Sequence, residues 1–255
     1  MPRPLRRAGA CLLAAAALGL PAAAQAQSTT GTVRIELEIG ATTATRNDVR
    51  IDADTGTRFD LNALQGEPTA PLFRATLDLQ PWERHGLRFS YQRLRTEGTG
   101  TLPGPTQFRN TSFAPGVATE GSYRFDTWRA TYRYTAWQGD TARLLVGGTL
   151  LVRDAEIRLT QGSRSDRRDD LGVVPLLHLA AEWQAAPRLR LIAEMDALGA
   201  PQGYAVDAAL RGAFTLAPGW EATLSYRFLD GGADNDSVYN FAPFHSLTAG
   251  LAWRF

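Results

Sequence analysis

Residues 246–255 read Ser-Leu-Thr-Ala-Gly-Leu-Ala-Trp-Arg-Phe. Side chains alternate across a β-strand, so Leu247, Ala249, Leu251, Trp253 and Phe255 share one face. Ser246, Thr248, Gly250 and Arg254 share the other. A strand that is apolar on one side and polar on the other, ending on an aromatic residue, suits a sheet with hydrocarbon outside and a polar lumen inside.

Working outward, the same alternation recurs in about ten segments: residues 32–39, 73–80, 87–94, 123–136, 143–153, 173–183, 189–197, 207–216, 220–228 and 247–255. The expected fold is all-β, a single antiparallel transmembrane barrel of about ten strands, with eight as the alternative. The connections alternate in length. Residues 40–72, 95–122, 159–172 and 229–245 form long polar links, while 81–86, 137–141, 184–188 and 217–219 form short ones. One link on the long side, 198–203, is short. Trp82, Trp137, Trp183, Trp220 and Trp253 all fall beside short links, and only Trp128 does not. Indole rings favour the headgroup level of a bilayer, so these mark a lower aromatic girdle. Tyr123, Phe125, Tyr204, Phe228, Phe241 and Phe244 are the expected upper one.

The N-terminus points to export. Arg3, Arg6 and Arg7 precede an apolar core at residues 8–20, and Ala24-Gln25-Ala26 offers a cleavage site. Residues 1–26 are read as a signal peptide and residues 27–255 as the barrel domain. The single cysteine, Cys11, lies in the leader, so the rest of the chain has no thiolate for a disulfide or a metal. No later stretch approaches the roughly 18 apolar residues of a spanning helix. With 27 basic and 26 acidic residues the net charge is +1, which argues against a nucleic-acid partner. Every basic side chain is arginine; biased codon usage explains that more simply than a need for guanidinium chemistry.

Inward positions carry many charges: Arg34, Glu36, Glu38, Arg129, Arg133, His178, Glu182, Glu194, Asp207, Arg211, Glu221, Arg227 and Arg254. Barrel closure brings the first strand beside the last, so Arg254 is expected to face Arg34, Glu36 and Glu38. Charges in a lumen need partners or water. A salt-bridge network filling a narrow bore is one reading, and a hydrated solute path is the other. His178 and Glu182 stand roughly 13 Å apart along one strand, so a partner for His178 must come from a neighbour such as Glu194 or Asp196. Asp230, Asp234 and Asp236 in the loop LDGGADND form a weak candidate cation site; the simpler reading is a Gly/Asp turn capping its own amides. The long links are read either as solvated loops or as a cap over the mouth held by Phe59, Phe108 and Phe113.

The whole of residues 27–255 resembles the small outer-membrane barrels of the OmpA/OmpW-like class. More narrowly, it is similar to proteobacterial barrels with motifs of the kind GVVPLLHL (172–179) and LDGGADNDSVYNFAPFH (229–245). The resemblance implies the outer membrane of a Gram-negative bacterium, insertion by the barrel-assembly machinery with Trp253 and Phe255 as the assembly signal, and contact with outer-membrane lipids and lipopolysaccharide. Ten strands depart from the eight usual in that class. Omptin proteases are ten-stranded and carry Asp and His at the outer rim, where His245 lies near Asp230; no wider resemblance to them is seen. Lipid A-modifying barrels pair a histidine with a nearby nucleophile, but His245 and Ser246 point to opposite faces. The expected role is therefore non-enzymatic: envelope integrity, small-solute binding or a narrow channel. A rim-located lipid A-modifying or omptin-like enzyme and an adhesion barrel are the alternatives. No catalytic residue, cofactor or metal is expected, and the oligomeric state is left open.

Overall fold

The computed structural model describes residues 32–52, 55–235 and 237–255. The expected signal peptide and Asp236 lie outside the described residues. The elements are β1 (Thr32–Ala44), β2 (Asp48–Ile51), β3 (Phe59–Asp60), α1 (Leu61–Leu64), β4 (Thr69–Trp82), β5 (His85–Thr101), β6 (Thr106–Phe108), β7 (Thr111–Phe113), β8 (Ala118–Gln138), β9 (Ala142–Gln161), β10 (Arg164–Ala186), β11 (Leu189–Ala200), β12 (Gly203–Ala217), β13 (Trp220–Asn235), β14 (Val238–Phe241) and β15 (Phe244–Arg254). Ten of them close a ring, in the order β1, β4, β5, β8, β9, β10, β11, β12, β13, β15 and back to β1, with every neighbour antiparallel. Closure is made by β1 and β15, where Leu37 stands opposite Leu251. The last residue completes it: Phe255 and Val33 exchange two backbone hydrogen bonds of 3.0 Å.

Side-chain parity sorts the wall as the alternation predicts. On β15 Leu251 is 46% exposed and its neighbour Ala252 only 1%. Leu210, Leu224, Leu150 and Leu177 are likewise exposed on the outer wall, the apolar surface that a transmembrane barrel turns to lipid. The five tryptophans beside the short turns are all exposed, and Trp220 stacks on Trp253 with ring centroids 5.8 Å apart. That end, which also holds both barrel termini, is called the lower end here.

The upper end differs from the sequence expectation in two ways and, third, decides between the two readings of the long links. First, two of the long links are mostly strand. β9 and β10 pair up to Arg164 opposite Gln161, leaving only a tight turn at Gly162 and Ser163. β5 and β8 pair up to Thr101 opposite Ala118. Above the apolar belt the outward face becomes polar and the inward face carries Tyr123, Ile157 and Leu159, so the outward-apolar pattern is lost although the hydrogen-bonded ladder continues. Second, Tyr123 and Phe244 point inward instead of joining an upper girdle; they stack on each other, and Tyr123 also stacks on Phe125. Outward aromatic contacts at this level come instead from Tyr91 with Trp128, Phe228 with His245 and Tyr204 with Phe241.

Third, the long links form a cap. Val49, Ile51, Phe59, Leu61, Leu64, Leu102, Phe108 and Phe113 are buried in one apolar cluster with the inward wall residues Leu72, Leu94, Tyr123, Ile157, Leu159, Leu229 and Phe244. The hydrophobic core of the molecule is thus a plug in the upper mouth. Polar contacts fix its position. The Asp60 carboxylate accepts from the Asn62 and Ala63 amides at the start of α1. Gln65 Nε2 donates to the carbonyls of Thr96 and Gly121 on the wall, 3.1 Å each. Gly98 allows this approach, since a Cβ there would lie 2.1 Å from the Gln65 carbonyl oxygen.

Leu251→Arg is expected to cost roughly 2–4 kcal/mol in a bilayer, whereas Leu251→Phe should be nearly neutral. Urea unfolding of the barrel in lipid vesicles measures both, and equal tolerance of Arg and Phe would contradict a lipid-facing position.

Candidate functional site

Below the plug, the interior is filled by ion pairs. At the lower end Glu221 from β13 bridges Arg34 (3.1 Å), Arg190 (2.9 Å) and Arg254 (3.7 Å). The register sets Arg254 directly opposite Arg34, not opposite a carboxylate, and Glu221 lies between the two guanidinium groups. Glu182 takes Arg143 and Arg190, both at 2.9 Å. One layer up, Asp78 receives Arg88 (2.7 Å), Arg133 (2.8 Å) and Arg34 (3.3 Å). Glu36 receives Arg34 and Arg211, both at 2.8 Å. Glu194 spans the bore, meeting Arg88 (2.6 Å) from β5 and Arg227 (2.9 Å) from β13. Glu38 accepts from the hydroxyls of Thr248 (2.9 Å) and Ser225 (3.1 Å), with Arg211 at 3.5 Å and Arg74 at 3.7 Å. Highest in the network, Asp207 pairs with Arg227 and Arg129, and Asp196 takes Arg129 at 3.2 Å.

The network therefore joins every inward charge named from the sequence. It also contains Arg74, Asp78, Arg88, Arg143 and Arg190, which were not picked out. The signal was present: Arg74 and Asp78 alternate with the outward residues Phe73, Ala75, Leu77 and Leu79, and Arg88 lies between outward Leu87 and Phe89. His178 finds its partner on the neighbouring strand, donating from Nδ1 to Asp196 at 2.7 Å, in direct register. Asp196 also accepts from the Thr149 hydroxyl (2.9 Å), which in turn contacts Thr131 (2.8 Å). An aspartate holding a histidine at Nδ1 is the geometry of a general base. Here the adjacent hydroxyl donates to the carboxylate, not to the ring, and His178 is 3% exposed. These contacts tie β9, β10 and β11 together, and the Nε2 of His178 is buried without a hydrogen-bond partner.

At the rim the candidate groups do not converge. His245 faces outward, its Nδ1 2.7 Å from the Tyr226 hydroxyl. Asp230 accepts from the Tyr204 hydroxyl at 2.9 Å, and Asp234 lies 3.8 Å from Arg50. Among the described residues no group of three or more His, Cys, Asp or Glu side chains is placed to hold a metal ion.

Comparison with solved structures places this architecture. The outer membrane protease OmpT from Escherichia coli superposes with a TM-score of 0.57 at 9% identity, covering 91% of this chain and 99% of that one. Ail, the attachment invasion locus protein of Yersinia pestis, matches at a TM-score of 0.40 and 12% identity, covering 89% of this chain and 99% of its own. Neisserial surface protein A follows at 0.38 and 11%, covering 88% and 99%. At such identities the OmpT match shows a shared fold, the ten-stranded outer-membrane barrel. No family model and no curated protein matches the chain.

Removing one member of a buried ion pair strands its partners. Glu194→Gln should destabilise the barrel by about 3–5 kcal/mol, while exposed Glu97→Gln should stay within about 0.5 kcal/mol. Denaturant titration in detergent micelles reads both. A neutral Glu194→Gln would contradict the network's role in holding the interior.

Proposed function

We propose that this protein is a sealed, non-conducting barrel of the Gram-negative outer membrane that serves the envelope through binding and structure rather than through flux or catalysis. In this reading the termini and short turns face the periplasm and the capped end faces outward, as in other barrels of the class. Export through a cleaved signal peptide, insertion by the barrel-assembly machinery and contact with lipopolysaccharide belong to the same reading. The observation that carries it is the double closure of the bore: guanidinium–carboxylate pairs fill the lower part, and the apolar cluster of α1, β6 and β7 fills the mouth. A crevice beside the plug, lined by Ile51, Tyr123 and Ile157, measures about 30 Å³, room for one or two waters.

Two arms test this. Purified protein in planar bilayers is expected to show no steady conductance, and replacing residues 46–67 by a short Gly-Ser linker should still give no porin-like current, because the ion pairs remain. Large steady currents from the native barrel would contradict the proposal. Lipid A from cells with and without the protein should have the same mass spectrum; a new acylation or deacylation product would favour a rim enzyme instead.

A further inference from the structure

At the upper rim the β11–β12 hairpin is shorter than the strands on either side of it, and an open pocket lies at its tip. The hairpin closes at Ala200 opposite Gly203, with Pro201 and Gln202 as its turn. β13 runs on to Asn235 and pairs there with β14. The pocket measures about 550 Å³ and is lined by residues 199–204 together with Asp234 and Phe241, a size suited to a small organic ligand. The outward residues of β13 change from Leu224, Tyr226 and Phe228 to Asp230, Gly232 and Asp234. The pocket thus stands above the apolar belt, with Asp234 roughly 13 Å of strand beyond Asp230.

Aromatic rings form one side of it. Tyr204 and Phe241 lie with centroids 5.8 Å apart and planes 35° from parallel, and Tyr239 continues the row 5.1 Å from Phe241. Each ring is held in place. The Tyr204 hydroxyl donates to Asp230 at 2.9 Å. Phe241 lies against Gly232, where a Cβ would come within 2.5 Å of the ring Cδ1, so this glycine of the LDGGADND run clears the seat for the ring. The Arg58 guanidinium sits over Tyr239, 4.5 Å from its centroid. Yet Tyr204 remains 39% exposed and Phe241 is only half-buried. Rings fixed in position but left open to water serve recognition better than packing.

We infer that this pocket binds a neutral oligosaccharide, one sugar face on Tyr204 and Phe241 and its hydroxyls at Gln202 and Asp234. The negative face of an aromatic ring attracts the C–H groups that line the flat side of a sugar. Adjacent, slightly tilted rings make a platform for such a face, whereas an organic cation needs rings that surround it. The Gln202 amide both donates and accepts, and the Asp234 carboxylate accepts, which suits hydroxyl groups. Among the described residues lining the pocket none is basic, and the exposed Asp234 carboxylate disfavours an anionic ligand. The sugar can belong to the outer leaflet's own glycolipid or to a glycan from outside the cell. The inference names a ligand class for the binding part of the proposed function and rests on the capped end facing outward. The sealed bore is judged separately by conductance, because this pocket lies on the outer face.

The test uses the full barrel in phospholipid nanodiscs, screened against an array of neutral oligosaccharides built from glucose, galactose, mannose and N-acetylglucosamine. The strongest binder is then titrated by calorimetry. It should saturate at one site per barrel. Phe241→Leu keeps an apolar side chain but loses the ring, and should weaken binding about tenfold or more, while Phe241→Tyr retains it. Asp234→Ala, at an exposed position that leaves the fold intact, should also weaken it. Trigalacturonate, an acidic counterpart, should bind less well than the neutral probe. Lipopolysaccharide with its core sugars, but not lipid A, should displace the probe if the leaflet supplies the glycan; a probe that stays bound in both assigns the site to a glycan from outside. No saturable binding by any member of the array overturns the site. Unchanged affinity in both Phe241→Leu and Asp234→Ala overturns its location, and tighter binding of trigalacturonate overturns the neutral ligand.

Discussion

A ring of ten strands encloses a bore that its own inward side chains must fill. In this protein many of those side chains are charged, and the rest of the architecture follows from having to satisfy them. Desolvating an ion is expensive, and a single opposite charge seldom offsets the cost. Here carboxylates are shared: Asp78 and Glu221 each meet three guanidinium groups from different strands. Arginine suits that task because its planar fork presents several donors in fixed directions. The chain has no lysine, and the interior network is built from guanidinium groups alone on the basic side. Because partners come from strands far apart in sequence, such as Arg88 and Glu194, the network also selects the register. A slip of one residue would turn every one of these charges toward lipid.

The interior is built in two tiers. Ion pairs occupy the part enclosed by the apolar belt, and hydrocarbon packing occupies the mouth, where strands extend beyond that belt. This reverses the usual order of a soluble protein, whose apolar groups lie deepest. The reversal has a physical basis: lipid already takes the outward apolar face, so the only site left for a water-excluding core is under the cap. Phe108 and Phe113 from the β6–β7 hairpin, together with α1, pack on the inward apolar residues of the upper wall, among them Leu94, Tyr123, Ile157 and Leu159.

Much of this could be read from the chain. Period-two alternation located all ten barrel strands, and the parity of the connections located the tryptophan girdle. The register and the individual ion pairs could not be read, because they depend on strand shear. Thus Arg254 was expected to face Arg34, Glu36 and Glu38 as a group; it stands opposite Arg34, and the carboxylate that bridges the two, Glu221, lies on another strand. The upper strands were read as loops because their outward face turns polar and the outward-apolar pattern stops there. Tyr123, Phe125 and Phe244 were assigned to a girdle on proximity to strand ends, although the parity of Trp128 on the same strand placed Tyr123 and Phe125 inward. The cap was one of two readings. Phe59, Phe108 and Phe113 identified its anchors, but only the three-dimensional arrangement shows that they meet the wall.

The central claim is that the bore is closed by side chains and not by a removable solvent column. Cysteine accessibility tests it most directly. In a Cys11→Ser background, Thr131→Cys and Thr223→Cys place thiols among the ion pairs, at positions 4% and 5% exposed, and Ser165→Cys places one at the exposed β9–β10 turn. With a small charged methanethiosulfonate reagent, the account predicts rapid modification at residue 165 and none at 131 or 223 until the barrel is unfolded. Modification of the two interior thiols in the folded barrel at rates near that of residue 165 would contradict it.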